Sequence, residues 1–243
     1  MSTGALLWRQ FRFERRMFWR NPSAAFFNFA LPLIFLFLIA TAFGSTHKRL
    51  ETLVPGIAGM AVMTTTFTAL AFNITFLREQ GILKRIRGTP MPPAAYFGGV
   101  LANAVTNAIV QVGLVVAIGH VVYGLGWPKD FFELTVFTLA GVLAFGALGI
   151  SFSYAIPNFD AAAPYVNAVF LPMIFISGTF YSTKLPGPLD ALARVLPLKH
   201  VIDGLRAAIV SGSGIGHHIG ALLALLAWAV GGVTIAVRYF RWE

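Results

Sequence analysis

Apolar residues in this chain gather into six long runs, roughly Ala24–Gly44, Leu53–Leu77, Ala95–Gly124, Phe131–Ile156, Ala161–Ser182 and Ile215–Val237. Each is long enough for a helix to cross a hydrocarbon core, which takes about 20 residues. None contains Asp, Glu, Lys or Arg except Glu133, at the mouth of the fourth. A charge at mid-membrane costs about 2.5–3.5 kcal/mol on insertion scales, so its exclusion from every run predicts six transmembrane helices. The expected fold class is an all-α membrane protein.

The composition narrows the alternatives. Of 243 residues, 57% are hydrophobic and 11% charged, with a mean hydropathy of +0.76. A soluble domain carries about 25% charged residues, and a soluble helical bundle needs a polar face on each helix, which most of these runs lack. Phe is frequent at 23, and the 24 glycines suit helices that approach closely in lipid. Zero cysteines exclude disulfides and thiolate metal sites. The net charge of +9 would suit nucleic acid, but the cations are sorted by connection instead.

Eleven Lys and Arg fall on one side: five before the first run (Arg9, Arg12, Arg15, Arg16, Arg20), four after the second (Arg78, Lys84, Arg85, Arg87) and two in the tail (Arg238, Arg241). Seven fall on the other (Lys48, Arg49, Lys129, Lys184, Arg194, Lys199, Arg206), four of them in the longest connection, where such charges weigh less. The chain is therefore expected in the cell (cytoplasmic) membrane, multi-pass, with both termini cytoplasmic and no nucleic-acid partner. The Arg-rich opening and the length of the first run do not suit a cleaved targeting segment.

Two polar segments carry helical patterns. In Leu6–Arg20, Leu7, Phe11 and Phe18 fall on one side, flanked by Met17, and Arg9, Arg12, Arg16 and Arg20 on the other. This suits an amphipathic helix lying in the membrane interface; a basic anchor that only fixes topology would use the same residues. Asn21-Pro22 ends it and starts the next helix, so 1–21 is expected as an interfacial unit and 22–243 as the transmembrane domain. In the loop 78–93 a short helix should run to about Arg87, with Gly88 as its C-cap and Pro90 barring continuation. Ile82, Leu83 and Ile86 make its apolar edge, and Lys84, Arg85 and Arg87 its basic one. So short a helix is unstable alone and needs a surface, either the membrane or a partner's groove.

Region 183–214 is too polar to span. It reads as two short helices, one with Leu189, Leu192 and Leu196, the next with Ile202, Leu205 and Ile209, and with local pairs Lys199–Asp203 and Asp203–Arg206. Within the runs, Asn103, Asn107 and Gln111 recur every four residues as one polar stripe, for which helix–helix packing is a commoner role than substrate contact. Gly216, Gly220 and Ala224 form a small-residue stripe, within the chain or at a dimer seam. No G-x-x-x-x-G-K-[ST], nucleophile elbow or H-E-x-x-H occurs, so no catalytic residue, metal site or bound cofactor is expected. His217 and His218 would point about 100° apart on a helix, which disfavours joint metal ligation.

Three stretches carry a family resemblance: REQGILKRIRGTPMPP (78–93), SGTFYSTKLPGPLDALARVLPLKHVIDGLRAAIVSG (Ser177–Gly212) and the opening WRNPSAAFFNFALPLIFLFLIATAFG. Over essentially the whole chain they resemble ABC-2 type exporter permeases, the membrane subunits of ABC transporters of the drug- or lipid-exporting kind. The resemblance implies that 78–93 is a cytoplasmic coupling helix docking into an ABC ATPase through Arg78, Glu79, Ile82, Leu83, Lys84, Arg85, Arg87, Thr89 and Pro90. It implies two ATPase copies, which bind ATP and Mg, and a second permease chain in a homodimer or related heterodimer. The interfacial helix would meet membrane lipids through Leu7, Phe11, Arg12, Arg16 and Phe18. The translocation path would be lined by the second and fifth runs through Thr65, Thr68, Phe72, Asn73, Asn167, Phe170 and Phe175. The helices in 183–214 would be a re-entrant pair capping the path, where an ordinary loop lying on the membrane is the alternative. A chargeless mix of Phe, Thr and Asn suits a hydrophobic or amphipathic cargo. A polysaccharide or lipid-linked glycan is the alternative, although permeases for those usually begin differently. A lipid-modifying membrane enzyme is the reading outside the class, and Asp160, the acid of the fourth-to-fifth connection, has no evident partner for it.

Overall fold

The computed structural model describes residues 2–181 and 186–239; Thr183 and Lys184, at the start of the region expected to be external, and the tail residue Arg241 lie outside the described residues. Among the described residues all regular structure is helical. The order is α1 (Thr3–Arg20), α2 (Pro22–Phe43), α3 (His47–Met63), a π-helical turn (Thr64–Thr68), α4 (Ala69–Glu79), α5 (Ile82–Arg87), α6 (Pro93–Val121), α7 (Phe131–Phe152), α8 (Ala162–Ile176), α9 (Gly187–Val195), α10 (Pro197–Arg206), a second π turn (Ala207–Ser211), a short 3₁₀ turn (Ile215–His218) and α11 (Ile219–Tyr239).

Among the described residues, five helical stretches are long and apolar enough to cross a membrane: Ala25–Phe43, His47–Glu79, Pro93–Val121, Phe131–Phe152 and Ile215–Arg238. The second of these is continuous through α3, the π turn and α4 for 33 residues, about 50 Å at 1.5 Å per residue. The fifth predicted span is the exception to the expected count of six. Its helix, α8, covers 15 residues, about 22 Å, and stops at Ile176 although the apolar run continues. The physical reason is local. Gly178 turns the chain at φ +79°, a conformation other L-residues rarely adopt, and the Tyr181 hydroxyl folds back onto the terminal carbonyls of Phe175 and Ile176. Hydropathy reports which environment a segment tolerates, and it does not report where the helix ends.

The core is built around α3, whose Leu53, Ile57, Met60 and Met63 are fully buried. α10 packs against α3, α7 and α11, with Leu198, Val201, Ile202 and Leu205 inside. Small residues let it approach: Gly59 meets Ile202, Gly141 meets Val201, and Gly204 lies beneath the Phe137 ring. α9, by contrast, leaves Leu189 and Leu192 exposed. Large apolar side chains are likewise exposed along α2 (Phe26, Phe27, Ile34, Leu38) and α11 (Leu223, Val230, Val233, Val237). That outer surface suits lipid or a second apolar chain rather than water.

Candidate functional site

The segment after the longest helix breaks at Gly81, at φ +66°, where a side chain would be strained. α5 then runs for six residues and ends at Gly88, whose N–H donates to the carbonyls of Lys84 (3.3 Å) and Arg85 (3.1 Å). Thr89 closes the turn, its Oγ1 donating to the Ile86 carbonyl at 2.7 Å, and Thr89 and Pro90 are exposed. The apolar edge of α5 is used within the chain. Leu83 is fully buried among Leu70, Ile74, Tyr96 and Val100, with Ile86 and Met91 at the margin, so the surface that stabilises this stub is α4 and α6 of its own chain. Ile82 is half-buried, and Lys84, Arg85 and Arg87 are exposed.

Arg78, half-buried, and Glu79, exposed, lie at the end of α4 and both bond to the connection between α7 and α8. Arg78 Nη1 donates to the Ser153 carbonyl at 2.9 Å and Nη2 to the Ile156 carbonyl. Glu79 Oε2 accepts the Phe159 N–H. These partners are about 80 residues away in sequence, and no local pattern announces them.

α1 is amphipathic, and its packed face meets α6. Leu7 and Gln10 lie against Gly98 and Gly99, and farther along both helices Arg15 donates to Asn107 Oδ1. Leu7, Phe11 and Phe18 are half-buried on this face and Arg12 and Arg16 are exposed. The same face holds Gln10 and Glu14, joined by a 2.7 Å bond from Nε2 to Oε1. Burial pushes the Glu14 carboxyl above its ordinary value, partly offset by the Gln10 bond. Trp19 stacks on Phe29 at 6.2 Å, fixing α1 to α2 as well.

The seven path residues are not brought to one place within the chain. Thr65 is buried and donates to Gln111 Oε1 at 2.5 Å, while Gln111 Nε2 donates to the Asn28 carbonyl at 2.5 Å. Thr65 and Asn73 border a cavity of about 290 Å³ that Asn28, Asn103, Asn107 and Glu14 also line. Thr68 is half-buried and its Oγ1 has no hydrogen-bond partner among the described residues. Phe72 turns toward Phe159, ring to ring at 6.2 Å. On α8, Asn167 and Phe175 are exposed and Phe170 is half-buried. A larger cavity of about 1010 Å³ opens between the π turn, α7, α8 and α11. Its walls are Phe67, Phe145, Leu148, Val169, Met173 and Trp228, and Arg78, Glu79, Ser151 and Tyr154 line it as well. Sequence reasoning missed this cavity because its walls are assembled from four separate apolar runs, by residues none of which is unusual for a span.

Beyond these cavities, both local pairs expected around α10 form: Lys199 Nζ sits 2.5 Å from Asp203 Oδ2, and Arg206 is 4.0 Å from Asp203. Burial holds the His200 imidazole below its ordinary value; the Arg194 carbonyl and Asp203 oppose that shift, and Lys199 adds to it. Among the described residues, a β-carbon added at Gly216 or Gly220 would meet nothing within 4 Å, so these two glycines of the small-residue stripe do not serve a close contact there. His218 Nε2 lies 3.0 Å from Ser213 Oγ.

These features define a multi-pass helical membrane protein that carries an exposed basic stub at the end of its longest helix. The profile of the ABC-2 type transporter family matches residues 1–210, and the chain belongs to that family. Members are membrane subunits of transporters and work with an ABC ATPase subunit. Among curated proteins the chain is similar to nodulation protein J of Rhizobium meliloti (strain 1021), 32% identical over 209 residues, or 80% of this chain and 78% of that protein. It is also similar to nodulation protein J of Sinorhizobium fredii (strain NBRC 101917 / NGR234), at 28% over 221 residues, covering 85% and 83%. A third such protein, from Rhizobium leguminosarum bv. viciae, is 26% identical over 238 residues, covering 91% and 90%.

Proposed function

We propose that this chain is the permease subunit of an ATP-driven exporter in the cytoplasmic membrane, with both termini in the cytoplasm. Two permease chains would enclose the path, and two copies of a separate ATPase, which bind ATP and Mg, would drive it. The observation that carries this reading is the two-sidedness of α5. Leu83 is committed to the chain's own core, while Lys84, Arg85 and Arg87 are exposed beside it. A basic edge held rigidly at a surface steers and registers an acidic partner. Closure of the ATPase subunits on ATP would displace α5 and change access to the cavity between the helices. The apolar walls of the 1010 Å³ cavity, with Arg78, Glu79 and Ser151 among its lining, support an amphipathic cargo. The depth at which α10 packs between α3, α7 and α11 supports a capping role for that helix at the outer face.

The test is co-purification from detergent with a candidate ABC ATPase, comparing the native chain with a Lys84→Glu, Arg85→Glu, Arg87→Glu variant. Exposed pairs contribute about 0–1 kcal/mol each, and reversal turns attraction into repulsion, so association should weaken about 10- to 100-fold. The permease itself should stay folded, because Leu83 is untouched. Undiminished association of the reversed variant would refute the assignment of this face.

A further inference from the structure

We infer that Arg78 and Glu79 are the internal link that carries movement of α5 to α8, and are not part of the surface that meets the ATPase; this rests on the permease reading above. At the end of α7 the carbonyls of Ser153 and Ile156 have no helical partner to follow, and the planar Arg78 fork supplies donors to both. Glu79 accepts the Phe159 N–H three residues on. The Phe76 ring sits 5.3 Å from Phe159, adding an apolar contact to the same turn. The turn is itself closed by Asn158 Oδ1, which accepts the Ala161 N–H at 2.9 Å immediately before α8 begins. On the other side of the link, the Gly81 N–H donates to the Arg78 carbonyl at 2.9 Å and the Arg85 N–H to the Gly81 carbonyl at 3.2 Å. α5, the end of α4, the α7–α8 turn and the start of α8 therefore form one bonded chain of contacts. Arg78, Glu79, Ile156 and Pro157 also line the large cavity that Val169 and Met173 of α8 border, so displacement of the turn alters that cavity directly.

The native chain contains no cysteine, so a single Ala168→Cys on the exposed face of α8 gives a clean reporter. In the complete permease–ATPase complex in lipid, its labelling rate by a water-soluble maleimide is compared between the nucleotide-free and vanadate-trapped states. The parent reporter should change at least about fivefold, a coupling in the usual range. Adding Glu79→Ala should reduce that response below about twofold while the ATPase still co-purifies at the parent's stoichiometry. Glu79→Gln, which keeps an oxygen to accept the Phe159 N–H, should retain the response, whereas an ionic contact with the ATPase would be lost in both variants. Adding Arg78→Ala should act like Glu79→Ala, and melting temperatures of all variants check folding. A full response in Glu79→Ala and Arg78→Ala overturns the link, as does loss of the ATPase from either. A parent reporter that holds no ATPase and shows no nucleotide response overturns the permease reading instead.

Discussion

Replacing Gln111 by leucine separates helix packing from cargo contact along the polar stripe of α6. Gln111 is 0% exposed and joins three elements, accepting from Thr65 in the π turn and donating to the Asn28 carbonyl of α2. Leucine is close in volume, so the packing change is small and the cost lies in the two lost bonds. Interhelical hydrogen bonds in membranes average about 0.6 kcal/mol and reach about 1.7, and a stranded buried carbonyl adds to that. Thr65 has a fallback acceptor, Asn28 Oδ1 at 3.4 Å, while the Asn28 carbonyl loses its donor, because the residue four on in its own helix is Pro32, which has no N–H. The net destabilisation should be about 1–3 kcal/mol. Unfolding in mixed micelles, titrated with a denaturing detergent, should show a lowered midpoint for Gln111→Leu. Thr65→Val should then cost less in that background than alone, because the two share one bond, with a coupling of about 0.5–1 kcal/mol. The ATPase response of the assembled complex to lipids should be unchanged per folded molecule. Strict additivity would refute the bridge, and unchanged stability with an altered response to lipids or drugs would make the stripe a cargo contact.

Other positions test the packing and the titratable groups. Gly204→Val should destabilise by about 1–3 kcal/mol, since a β-carbon there would lie 2.1 Å from Phe137 Cδ1 and that ring is fully buried; melting of purified protein measures it. Gly149→Ala should cost a similar 1–3 kcal/mol, because its β-carbon would fall 2.7 Å from the Phe67 carbonyl oxygen, a backbone atom that cannot step aside. His200 has a folded pKa below its ordinary value of 6.5, so its contribution to stability is present above about pH 6.5 and is lost as pH falls through the lowered value. The melting temperature of the native protein should therefore drop more between pH 7 and pH 5 than that of His200→Gln, and equal slopes would exclude His200 as the titrating group.

The parts legible in the sequence were those fixed locally. Gly88 and Pro90 bound α5, and its basic and apolar edges follow from helical spacing over six residues. Long-range placement was not legible. Arg78 and Glu79 sit in a run of charged residues and look like surface, yet their partners lie beyond a further two spans. The face of α1 follows from Leu7, Phe11 and Phe18, but its contact with α6 depends on Gly98 and Gly99, two glycines that are ordinary within an apolar run. Gln10 and Glu14 were the available signal, since they share the apolar face of α1 and need partners inside the protein.

The long helix from His47 to Glu79 explains why these scattered features matter to one another. Near its middle Gly59 lies against Ile202 of α10, and at its far end it leads through Gly81 into α5. Between them stands the π turn, which presses the Phe67 backbone onto Gly149 of α7 and turns Thr65 toward Gln111 of α6. A π turn inserts one extra residue into a helix and shifts the faces on either side of it, so the same element packs α10 and α6 along α3 and α7 and α8 along α4. An uninterrupted α-helix of this length would carry one face throughout. The Thr64 and Thr66 hydroxyls, bonded back to the carbonyls of Met60 (2.8 Å) and Val62 (2.6 Å), supply acceptors' partners where the helical ladder is disturbed. Thr65, which the family resemblance assigns to a cargo path, thus has a structural role in part, at the joint of the element that connects α10 to α5.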